Sequence, residues 1–64
     1  MSTVKTYVPY AIKWRRRTDE QENTFLFATI ADGKALTKEA ILKIAEFYSV
    51  DKDDIVIVSI NRIQ

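Results

Sequence analysis

The chain has 64 residues, with no cysteine, no histidine, one proline, one glycine and one tryptophan. Without cysteine there is no disulfide and no thiolate. Without histidine as well, metal sites built on imidazole or thiolate are excluded, and so is any nucleophile–histidine pair. A lone glycine, Gly33, cannot make a phosphate-cradling glycine-rich loop. The longest uncharged apolar stretch, Phe25 to Ala31, falls far short of the roughly 20 residues of a membrane helix. Met1 to Lys5 shows no apolar core of a signal peptide. The expectation is a cytoplasmic protein without a membrane partner, in a host cytoplasm if the gene is carried by a phage.

Apolar residues make up 47% and charged residues 30% of the chain, an ordinary balance for a folded protein. Residues 1–64 read as one small α+β domain. A domain of this size buries only roughly 60% of its unfolded surface and usually needs a disulfide, a metal or a partner subunit. With disulfides and the usual metal ligands missing, association with another chain is the support that remains.

The net charge of +1 hides a split. Lys5, Lys13, Arg15, Arg16 and Arg17 stand before residue 18 with no acid among them, a charge of +5. The remainder carries nine acids against Lys34, Lys38, Lys43, Lys52 and Arg62, a charge of −4. Such a layout bears on partners rather than on fold. It predicts a homodimer in which opposite ends meet twice across a two-fold axis.

Val4 to Arg15 alternates with period two, placing Val4, Val8, Tyr10, Ile12 and Trp14 on one face. Pro9 donates no ladder bond, so it belongs on an unpaired side, at a bulge or between two shorter strands. Arg16 to Asn23 is a polar loop, and Thr24 to Ala31 a second strand. Asp32-Gly33-Lys34 reads as a turn and Thr37 as a helix cap. Leu36, Ala40, Ile41, Ile44, Ala45, Phe47 and Tyr48 then form an apolar helical stripe, with Leu42 left outside it. Ile55 to Ile60 is a β-branched third strand. The order ββαβ, with short connections and a right-handed crossover, predicts a three-stranded antiparallel sheet in order 2-1-3 with the helix on one face.

Two strands are apolar on both faces, more than one helix covers. If Tyr10, Ile12, Trp14, Leu26, Ile30, Val56, Val58 and Ile60 meet the helix, then Tyr7, Ala11, Phe25, Phe27, Ile55, Ile57 and Ile63 form an exposed patch. A patch of that size on a small protein marks an interaction surface.

The expected function is therefore binding: a small non-enzymatic module that docks on another protein, or on a second copy of itself, through an apolar sheet face or an edge strand with charged rims. Trp14, Arg15, Arg16, Arg17, Phe25 and Phe27 are the candidate contact residues, since tryptophan and arginine dominate interface energetics. Length and layout look like those of stand-alone accessory or inhibitor proteins of phages and mobile elements, though no motif carries a named family. The rival expectation is a nucleic-acid binder that holds phosphates with Lys13, Arg15, Arg16 and Arg17 and stacks bases on Tyr7 or Trp14. Asp51-Lys52-Asp53-Asp54 lacks the spacing of a calcium loop, and turn chemistry accounts for its aspartates without a metal. Glu39 and Glu46 share a helix face with lysine between them, which does not make an acid–base pair in a pocket. No cofactor, metal or catalytic residue is expected.

Overall fold

The structure is a computed structural model that describes residues 6–63. Val4 and Lys5, counted above in the first strand and the basic end, lie outside the described residues. The elements are β1 (Val8–Arg16), β2 (Asn23–Thr29), α1 (Gly33–Tyr48), a 3-10 turn (Lys52–Asp54) and β3 (Ile55–Arg62). The sheet is antiparallel in the order β2-β1-β3, as expected, with α1 connecting the two outer strands.

The central strand decides which face is covered. Tyr10, Ile12 and Trp14 alternate with Ala11, Lys13 and Arg15, so only one face of β1 is oily. Opposite Tyr10, Ile12 and Trp14 stand Phe27, Phe25 and Asn23 on one side, and Arg62, Ile60 and Ile57 on the other. Ile12, Trp14, Ala40, Ile44 and Ile55 form the buried core, with Tyr10, Phe25, Phe27, Ile57 and Ile60 packed against it. Burial of a side chain such as Ile12 or Ile44, both at 0% exposure, contributes about 1.5–3 kcal/mol.

The grouping of residues by face differs from the one supposed above, and the choice of covered face, open in the sequence, is made here. Phe25, Phe27, Ile55 and Ile57 lie under the helix, and Leu26 stands 63% exposed. A β-bulge explains the third strand: Lys13 pairs with Ser59 and Trp14 with Ile57, leaving Val58 as an extra residue. The alternation therefore shifts by one, and Ile57 and Ile60 both reach the core. The far face combines Ala11, Lys13 and Arg15 with Thr24, Leu26, Val56, Ser59 and Asn61, a mixed surface rather than an oily one.

Pro9 sits near the start of the central strand. Its carbonyl accepts from Ile63 N–H at 2.9 Å, and the reciprocal bond is the one a proline cannot donate.

The helix begins earlier than expected. Asp32 holds the N-cap position with extended backbone but no side-chain cap bond, and its carbonyl accepts from Leu36 N–H at 3.2 Å. Gly33 follows with φ +58, a left-handed conformation that side chains resist, which accounts for glycine at this entry. Thr37, read as the cap, lies inside α1 and is half-buried. Leu36, Ala40 and Ile44, four apart, form the buried row. Ser49, left-handed at φ 57, ends the helix, and its N–H returns to the Ala45 carbonyl.

Candidate functional site

Arg16 and Arg17 are tied to the acidic turn of their own chain. Because β1 runs antiparallel beside β3, the end of β1 meets the segment that precedes β3, and Arg16 stands opposite Ile55. Arg16 Nε and Nη2 both reach Asp54 Oδ2 at 2.8 Å, and Arg17 N–H donates to Asp54 Oδ1 at 3.1 Å. Arg17 Nε donates to the Asp53 carbonyl at 3.1 Å. Arg15 Nη1 donates to the carbonyl of Arg16 at 3.1 Å. Lys13 pairs loosely with Glu22 at 3.9 Å. Asp51 accepts from Asp53 N–H at 2.9 Å and shapes the turn. The opposite charges thus meet within one molecule, which removes the sequence argument for a dimer held by opposite ends.

Trp14 is 2% exposed, its ring 4.9 Å from that of Tyr48. It lies in the core and presents neither a surface anchor nor a stacking platform, which corrects the expectation for this residue. Its Nε1 is buried without a hydrogen-bond partner among the described residues. Phe25 and Phe27 are half-buried against the core. Tyr7 is 65% exposed, just before β1.

The clasp makes a pH-dependent contribution to stability. The hydrogen bond from Arg16 holds the Asp54 carboxyl below its ordinary 3.8, assisted by the Arg17 amide and both positive charges and opposed by desolvation. The lowered folded value means that the contribution is complete above 3.8 and fades as pH falls through the folded value below it. Asp54→Asn is expected to lower the urea midpoint at neutral pH, with the gap to wild type closing in acid. The effect is small, since Arg16 is half exposed. A gap that persists undiminished in strong acid would count against the ion pair as its cause.

Exposed apolar side chains stand at several places, among them Leu42 on α1, Val58 and Ile63 at β3, and Leu26 and Phe47 at β2. Phe47 is 71% exposed, with its ring 5.5 Å from Phe25 and 4.9 Å from Tyr48. Phe25 in turn lies 5.7 Å from Phe27. These rings form an aromatic ledge above the outer strand, while Leu26 projects on the other face. Sequence reading placed Phe47 within the covered stripe, and left open which sheet face, and so whether Leu26, lies under the helix.

The outer rim of β2 is also defined by its backbone. Main-chain N–H and C=O groups of one residue point to the same side, and the side alternates along a strand. The Pro9 carbonyl and Arg17 N–H both bond toward β3, so Ala11, Lys13 and Arg15 do too, and Tyr10, Ile12 and Trp14 bond toward β2. Their partners Phe27, Phe25 and Asn23 are satisfied within the sheet. Thr24, Leu26 and Ala28 therefore point their backbone groups outward, where the sheet has no further strand among the described residues.

No family model, curated protein or solved structure matches this chain. Among the described residues no acidic cluster is placed to hold a metal ion, and no helix is long and apolar enough to cross a membrane. The buried hydroxyl of Thr29 donates to Glu39 and accepts from Ala31 N–H at 3.0 Å, which ties the end of β2 to the helix.

Proposed function

We propose that this protein is a small non-enzymatic interaction module that takes a strand of another protein chain onto the free edge of β2. One observation carries this reading. The edge offers an outward-facing row of backbone groups at Thr24, Leu26 and Ala28, with exposed Leu26 on one side and exposed Phe47 on the other. Strand addition draws affinity from such a row and specificity from the side chains that flank it. The edge replaces the far sheet face as the docking surface, because that face is mixed in polarity. In support of the non-enzymatic part, two partly buried carboxylates are already engaged, Glu39 by Thr29 and Asp54 by Arg16 and Arg17. Occupying a partner's strand is an activity that suits an accessory or inhibitory protein. A chain without cysteine suits a reducing cytoplasm, where the partner is sought.

The test compares immobilised wild type with Leu26→Lys, which sets a charge beside the edge. A protein partner that is retained by wild type and lost by Leu26→Lys is the expected result. Retention of the same protein partner on both would overturn the reading. DNA and RNA titrations at two salt concentrations accompany it. No binding at low salt is expected, because Arg16 and Arg17 are held by the acidic turn and Trp14 is buried. Tight binding that collapses as salt rises, and that is lost on Arg15→Glu, would mark phosphate recognition instead.

A further inference from the structure

We infer that the strand accepted by β2 is β2 of a second copy, giving a two-fold dimer with a continuous six-stranded sheet. This rests on the edge-docking reading and names its occupant.

The two sheet edges are guarded differently. Natural proteins blunt free edges with charges, prolines or bulges, since an unguarded edge pairs with other chains. β3 has a bulge at Val58 and a charge at Arg62. β2 reads Asn-Thr-Phe-Leu-Phe-Ala-Thr, with no charge, proline, glycine or bulge. Its edge is shaped for a strand to be there.

What that strand is follows from the order of residues. The centre of the segment, Phe25-Leu26-Phe27, reads the same in both directions, and Leu26 is the midpoint of β2. An antiparallel pairing centred there sets Leu26 opposite Leu26 of the second copy, Phe25 opposite its Phe27, and Thr24 opposite its Ala28. Leu26, Thr24 and Ala28 are the residues whose backbone groups point outward. These pairs therefore close the reciprocal bonds of an antiparallel ladder, and Phe25 and Phe27 keep their bonds to β1. Sliding one strand by a single residue would set inward-bonded residues opposite outward-bonded ones, and among the registers that keep them matched the one centred at Leu26 overlaps the whole of β2.

Side chains agree with the backbone on both faces. Opposite residues of an antiparallel pair share a face. On the helix side, Phe25 and Phe27 of each copy meet across the seam, and Phe47, resting on Phe25, gains a neighbour for its exposed ring. On the far side the two Leu26 side chains meet at the axis, and Thr24 meets Ala28. A two-fold contact repeats one patch on itself, and here that patch brings apolar side chains together on both faces.

The full chain, studied by sedimentation velocity over a concentration series, is expected to sediment as a dimer that dissociates on dilution. Leu26→Lys places two like charges at the axis and is expected to weaken association by roughly tenfold or more, since such juxtaposition costs several kcal/mol. Circular dichroism checks that this variant, altered at a side chain already in solvent, keeps its fold. Leu26→Cys supplies a second measurement, because the chain has no other thiol. Spin labels on Leu26→Cys should give a short label-to-label distance, and labels on Asn61→Cys, across the sheet, a much longer one. A monomer at every concentration overturns the inference, as does a dimer unaffected by Leu26→Lys or with the longer distance at residue 26. If a heterologous protein is nevertheless lost on Leu26→Lys, edge docking stands and only self-pairing fails.

Discussion

Trp14→Ala is expected to remove roughly a third or more of the stability of the fold. Trp14 is 2% exposed and belongs to the cluster formed by Ile12, Ala40, Ile44 and Ile55. Truncating a core tryptophan to alanine costs about 3–5 kcal/mol. A folded protein of this length has roughly 3–10 kcal/mol of stability in all, by a per-residue scale. The loss therefore takes much or all of what holds the fold. Trp14→Phe is expected to be far milder. It keeps an aromatic ring against Tyr48 and removes an indole N–H that is buried without a partner among the described residues, an arrangement that costs about 1–3 kcal/mol. Circular dichroism and urea unfolding of both variants check this. Near-wild-type stability of Trp14→Ala would place the ring outside the core and restore it as a surface anchor.

Ile44→Ala is expected to cost about 2–5 kcal/mol, while Leu42→Ala, two residues away, changes stability by no more than about 0.5 kcal/mol. Ile44 is at 0% exposure in the row that faces the sheet, and Leu42 is 52% exposed on the opposite side of the helix. Both substitutions remove a comparable aliphatic side chain and install the best helix former, so propensity favours neither. The contrast isolates packing. Urea midpoints of the two variants at one protein concentration measure it, and similar losses would mean that the helix is rotated about its axis relative to the sheet.

The sequence was legible where one strong pattern ruled. The β-branched run at Ile55, the helical spacing of Leu36, Ala40 and Ile44, and the clean alternation of the central strand lead to the observed order of elements. The faces of the outer strands were harder. Each is apolar on both sides, so periodicity alone does not orient it. A signal was nonetheless present: the one oily face of the central strand must lie under the helix, and two phenylalanines bury more apolar surface beside it than Leu26 and Ala28. The bulge at Val58 left no mark on its run of branched residues. The clasp between Arg16 and Asp54 was readable in principle. Order 2-1-3 brings the end of the first strand against the start of the third, and the charges there are opposite. Reading the charges as two distant ends, rather than through the topology, led toward partners outside the chain. The exposed ring of Phe47 was hidden because it shares the helical stripe with buried residues yet sits beyond the rim of a narrow sheet.

The middle position of β1 has a consequence for the timing of synthesis. On the ribosome, this strand is made well before the neighbour that flanks it on one side: Arg16 waits through 38 positions for Asp54 to emerge. The local hairpin with β2 can form early, but the core stays open until β3 arrives and slots in beside β1. Through that interval Ile12, Trp14 and Phe25 have only α1 to cover them, and the β3 side of the core stays open. Chains stalled before β3 are therefore the forms most in need of a chaperone.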